Sequence, residues 1–259
     1  MHAAASHPIE SSGVKRILRA RFVFLLLVVA CGSTLCLSQP GSGATNQLQN
    51  AATLLRSRQF PAAVEAYQRI LKAEPHNEKA ELGLAAAYFG LYNYEQTRRL
   101  LRAAAAAHPN SAAALVELGK LDIHLLHYED AIVELKRAVR RNPTSALAHE
   151  QLGVAYQAKG DENNALAQLN EAVNLAPGAA SAHYFRGSLY ADRNDDIHAY
   201  QDAKVAYRLE PNSQTRELLG KTALHANKCD EAVDVLGPLA DSEETSPEDL
   251  YLLSRAYKC

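Results

Sequence analysis

Neither sign of charge dominates this chain: 27 basic residues nearly cancel 29 acidic ones, for a formal net charge of −2. No global field therefore recruits nucleic acid or an acidic lipid surface. Cysteine is scarce, and two of the four, Cys31 and Cys36, lie in an apolar N-terminal stretch. Catalytic signatures are missing. There is no glycine-rich dinucleotide fingerprint and no nucleophile elbow. Gly220-Lys221-Thr222 copies the end of a phosphate-binding loop, but Thr215 stands where that loop needs its first glycine. His124 and His127 are spaced to share a helix face, yet no third ligand has metal spacing and HExxH is absent. These gaps predict no enzyme, no cofactor and no metal site.

What the chain does have is a period. Pro75, Pro109, Pro143, Pro177 and Pro211 recur every 34 residues. A small-residue column, Ala51, Ala85, Gly119, Gly153 and Gly187, keeps the same spacing; Gly220 follows one residue early and Ser254 returns to step. Leu84, Leu118, Leu152, Leu219 and Leu253 form a large apolar column, and Tyr88, Tyr156, Tyr190 and Tyr257 another. Within a unit, apolar and small residues fall three or four apart, as in Leu152, Gly153 and Tyr156, then Ala165, Leu169 and Ala172, with Gly160-Asp161 between. That pattern predicts a helix, a short turn and a second helix per unit, each proline ending one unit and opening the next. His149 and His183 share one column and are expected in packing or interface positions.

The order Leu-Gly, Tyr, Ala, Leu, Ala, Pro at this period resembles the tetratricopeptide repeat. The resemblance implies an all-α fold, a right-handed superhelix (α-solenoid) of six full repeats over residues 44–246, plus one terminal helix of a seventh at 247–259. Several positions depart from the pattern: Thr97 replaces Ala, Asp122 and Ala223 replace Tyr, Asn50 and Arg186 replace Leu. Gly237-Pro238 should shorten or kink the second helix of the sixth unit.

Residues 1–38 read as an export signal or membrane anchor, followed by a linker at 39–43. Lys15, Arg16, Arg19 and Arg21 precede the apolar run Phe22 to Ala30, and small and polar residues follow. Three endings stay open. Val28-Val29-Ala30-Cys31-Gly32 resembles a lipobox, with Cys31 lipidated; cleavage before Gln39 fits equally; and the 16 residues from Phe22 to Leu37 fall just short of a spanning helix. Losing residues 1–38 removes four positive charges and Glu10, taking the formal charge from −2 to −5.

A repeat array points toward binding. In proteins with this repeat the first helices line a concave groove; carried onto this sequence, the groove surface comprises Leu48, Leu55, Leu82, Phe89, Val116, Ile123, Val154 and Tyr184. Its N-terminal half is apolar and suits a partner protein's helix or extended segment. The carboxylate-gripping residues of chaperone-tail receptors are missing: Leu48, Ala52, Gly83, Ala113 and Glu117 stand in those columns. Arginine clusters at 98, 99 and 102 and at 137, 140 and 141 fall on second helices, as a solvated outer face. Stacked antiparallel helices would bring Cys229 and Cys259 together, and export would permit a disulfide between them. The reading is a noncatalytic protein-interaction scaffold of the cell envelope, periplasmic, membrane-anchored or secreted. The alternatives are a pilus- or outer-membrane-assembly lipoprotein and a regulatory portion of a larger or partner enzyme.

Overall fold

A computed structural model describes residues 42–239 and 247–259. The apolar run, Cys31 and the cleavage site before Gln39 lie outside the described residues. Contacts divide the chain into two units, Met1–Asn46 and Gln47–Cys259. The helical pairs belong to the second, apart from the start of the first helix at Ser42.

The described residues form thirteen α-helices and no strand. Six pairs run in order: α1 (Ser42–Arg56) with α2 (Phe60–Ala73), α3 (Glu78–Gly90) with α4 (Tyr94–Ala107), α5 (Ala113–His124) with α6 (Tyr128–Arg141). Then come α7 (Ala146–Lys159) with α8 (Glu162–Leu175), α9 (Ala180–Asp192) with α10 (Asp196–Leu209), and α11 (Ser213–His225) with α12 (Cys229–Leu236). The single helix α13 (Pro247–Ala256) ends the array. Connections this short leave consecutive helices no arrangement but antiparallel neighbours. The result is an all-α repeat superhelix.

Local chemistry sets the helix ends. Asn77, Asn93, Ser145, Asp161 and Asp195 each accept a backbone N–H from the first turn of the helix they precede. The repeating prolines sit in the turns between units, two to four residues ahead of the next helix, and do not open it as the sequence suggested. Their effect is to stop the preceding helix. His149 and His183 then place Nε2 at 3.0 and 3.1 Å from the carbonyl oxygens of Pro143 and Pro177, so each pins a turn to the helix that follows it.

The turn inside each unit holds one residue with left-handed backbone: Arg58, Tyr92, Leu126, Gly160, Asn194 and Asn227, at φ from 54° to 84°. Glycine and asparagine take this conformation readily; tyrosine and leucine do not.

The small column is a seat for leucine. A methyl group added at Gly119, Gly153 or Gly220 would strike Leu135, Leu169 or Leu236, the buried leucine of the second helix in the same unit. Closeness of backbones therefore comes from glycine on one helix and packing volume from leucine on the other. Gly220 belongs to this seat and not to a phosphate loop. Where Arg186 replaces leucine, its guanidinium binds Asp202 through Nε (2.6 Å) and Nη2 (2.8 Å) and Asn170 through Nη1 (3.0 Å). Asp202 also meets His183 Nδ1 at 2.8 Å. Asp122, in a tyrosine position, is buried and bound by Arg98 Nη2 at 2.5 Å.

At the C-terminal end α12 stops at Leu236 and Gly237–Leu239 turns into a 3-10 helix, as Gly237-Pro238 predicts. Cys229 and Cys259 are paired as a disulfide with Cα atoms 5.7 Å apart.

Candidate functional site

Packing columns occupy one face of each first helix, so the residues beside them form a second stripe. On α3 that stripe is Leu82, Ala86 and Phe89, spaced four and three apart. On α5 it is Glu117, Lys120 and Ile123 with His124, and on α7 Gln151 and Val154. Together with Phe185 of α9 these side chains enclose a cavity of about 530 Å³. Its floor is apolar. Glu117 and Lys120 pair with each other at 3.0 Å and bring no net charge.

A second depression of about 680 Å³ shares Leu82, Ala86 and Glu117 with the first, and the two make one trough. Its far end is polar, with Asn110, Ser111, Asn142 and Ser145 from the turns between units. At the opposite end stands an aromatic cluster. The Phe89 and His124 rings lie edge to face at 4.9 Å, Tyr94 is 5.6 Å from Phe89, and the Tyr94 hydroxyl meets His124 Nε2 at 3.1 Å. Tyr92 continues the cluster outward, edge-on to Tyr94 at 6.4 Å.

Of the eight expected groove residues, Leu82, Phe89, Ile123 and Val154 converge on the cavity. Leu48 and Leu55 do not; they pack against the core that α1 and α2 share with α3, beside Ala51, Tyr67 and Leu84. Val116 is only 3% exposed and belongs to the core with Leu115 and Leu118, reaching the trough as part of its polar end. Tyr184 turns toward Leu218 and Leu219 of α11 and stands edge-on to Phe185 at 5.3 Å. Burial raises its hydroxyl pKa, with Glu217 adding to the effect. Gly83, Glu117, Gln151 and Phe185, a column with a 34-residue spacing, all face the trough. The period makes that column readable, but the sequence pattern singles out only Gly83 and Glu117 in it, as positions lacking the clamp residues.

The remaining motifs resolve structurally. His124 ends α5 while His127 precedes α6, so the two do not share a helix face. Among the described residues no cluster of three metal-ligating side chains occurs, and no helix is long and apolar enough to cross a membrane. Of the basic clusters, Arg98 holds Asp122, Arg137 holds Glu134 at 2.6 Å, and Arg141 donates to the carbonyls of Ala105 and Ser111. Arg99, Arg102 and Arg140 are exposed or partly so.

Comparisons with known proteins agree with this architecture. The tetratricopeptide repeat pattern matches residues 54–117 and 146–178, and the TPR repeat pattern residues 127–160. No curated protein matches the chain. Among solved structures, a chain of the APC/C heterotetramer Cut9–Hcn1 is similar at TM-score 0.70 and 18% identity. The alignment spans 82% of this chain but only 42% of that one. Pseudomonas aeruginosa pilF aligns at TM-score 0.67 and 17% identity over 82% of this chain and 96% of its own. PilW, described as a widely conserved type IV pilus biogenesis factor, aligns at 0.67 and 20% over 82% and 99%. Identities this low carry the fold and not the task. The 34-residue period, the paired helices with their glycine seats and the matched patterns together identify tetratricopeptide repeats across residues 54–178.

Proposed function

We propose that this protein is a noncatalytic interaction scaffold of the cell envelope, and that it binds an apolar helix of a partner protein in the trough across α3, α5 and α7. The observation that carries the reading is an apolar cavity of about 530 Å³ opening beside the ring cluster of Phe89, Tyr92, Tyr94 and His124. An extended peptide would lay backbone N–H and C=O groups on this floor, where the helices' own backbone groups are already paired and few side chains can bond. A helix satisfies its own backbone and needs only an apolar face. Export rests on the order of basic, apolar and small residues ahead of Gln39.

Phe89 is the expected anchor, since it is the large aromatic side chain shared by the cavity and the ring cluster. Truncating such a hot spot typically costs about 2 kcal/mol or more of binding, roughly thirtyfold in Kd. In-cell photocrosslinking of the full chain should capture a partner, and capture should fall for Phe89→Ala while persisting for Arg99→Ala on the outer face. The reverse pattern would move binding to the basic surface and toward an acidic partner. A second reading, a lipoprotein that assists pilus or outer-membrane assembly, is favoured by one feature, the Val28-Val29-Ala30-Cys31-Gly32 sequence. Metabolic labelling with a lipid precursor, lost in Cys31→Ala, would select it.

A further inference from the structure

Position 150 belongs to the column of Leu82, Val116 and Tyr184, in which each residue follows the last by 34. The other three are apolar or aromatic, whereas Glu150 is a carboxylate only 5% exposed. Its two partners carry no charge. Gln151 donates through Nε2 to one carboxylate oxygen at 3.0 Å, and the Ser181 hydroxyl donates to the other at 2.5 Å. Among the described residues no lysine or arginine pairs with it. The cations of its own helix and of the first helices on either side are committed elsewhere: Lys159 to Glu129, Lys120 to Glu117, and Arg186 to Asp202 and Asn170. A buried carboxylate is ordinarily matched by a cation. Two neutral donors fill only about half of the lone-pair sites that an ionised one offers.

This carboxylate adjoins the trough. Gln151, which covers one of its oxygens, lines the cavity together with Val154, and Leu82 and Val116, its column mates on α3 and α5, line the depression beside it. The cover is made of side chains, Gln151 partly buried and Ser181 exposed, so an incoming group can displace it without unwinding a helix. Resting on the reading that the trough takes an apolar helix, we propose that this helix carries one basic residue, lysine or arginine, whose cation completes the coordination of Glu150. The apolar face then fills the cavity at Phe89, and the cation lies past the α7 wall. Phe89 sets affinity, whereas Glu150 sets register and choice of partner. A helix with an apolar or acidic residue at that point leaves the buried carboxylate facing hydrocarbon or like charge, and is rejected for it.

Synthetic helices test this by fluorescence anisotropy on the full chain, in detergent that keeps the N-terminal apolar run in solution. The probes are labelled leucine-alanine helices with a single lysine moved stepwise through two turns, and a parallel set with norleucine in its place. One lysine register should bind the wild-type chain at least tenfold more tightly than its norleucine counterpart. Glu150→Gln, which keeps the shape of the side chain, should abolish that preference with an unchanged helical circular dichroism signal. Phe89→Ala should weaken both sets alike and keep the preference. Helices that bind through Phe89 without any lysine preference overturn the inference and leave the trough as the binding site, and so does a preference that Glu150→Gln leaves intact. Failure of both sets to bind the wild-type chain overturns the inference and the trough reading together.

Discussion

Single side chains in this array are tuned against the repeat that holds them. Asp122 occupies a tyrosine position, and burial raises its pKa above the ordinary carboxylate value while Arg98 works to lower it. A carboxyl whose folded pKa lies above its unfolded value binds protons more readily in the folded state. Its contribution to stability is then greatest below the unfolded value and is lost as pH rises through the folded one. Wild type should accordingly gain stability relative to Asp122→Asn as pH falls from neutrality toward 4, within the window between the raised value and the ordinary aspartate value of 3.8. Denaturant titrations at a series of pH values check this, and parallel curves for the two proteins would refute it. Leu126 is the second case, at φ 62° and 69% exposed. Removing a bulky side chain from left-handed backbone relieves roughly 1 kcal/mol of strain, so Leu126→Gly should raise the urea midpoint. An unchanged or lower midpoint would mean that the exposed leucine gains as much from its surroundings as the backbone loses.

At the scale of helices, the glycine seats hold the two helices of a pair together, and the last helix is the most weakly held. It is short, and its packing comes from Leu252, Leu253 and Ala256 on a single face. A disulfide from Cys229 to Cys259 closes 30 residues of chain around it. By the chain-entropy argument such a crosslink contributes on the order of 3 to 4 kcal/mol. Oxidised protein should show no free thiol at these positions, and Cys259→Ser should raise amide exchange in α13 while leaving α3 to α8 protected. Two titratable thiols in the native, oxidised protein would remove the bridge.

For the whole molecule, the proposed role requires that the repeats face an oxidising compartment. Fractionation should place the repeat region outside the cytoplasm, with Cys31→Ala separating a lipid-attached form from one cleaved before Gln39. Recovery of unprocessed chain in the cytosolic fraction would count against both the location and the disulfide. The likeness to pilF and PilW covers nearly all of those proteins but rests on shape, and the description of PilW as a pilus biogenesis factor stays with PilW.

Period and composition alone determined that the described residues form paired helices, because each unit repeats the same small, large and turn-forming positions at a spacing that two packed helices and their turns fill. They also determined the glycine seats, the shortened α12 and the absence of any catalytic motif. What they left undecided was which flanking residues turn outward. Leu82, Val116 and Tyr184 occupy one column, yet Leu82 faces the cavity, Val116 is buried and Tyr184 leans on α11. Local spacing assigns a residue to a stripe of its helix. Whether the stripe meets a neighbour or solvent depends on how each pair is rotated against the next, and that rotation arises from side chains dozens of residues away. For the same reason only the tertiary structure placed Phe185 and Gln151 in the trough and joined Tyr94 to His124 across two units.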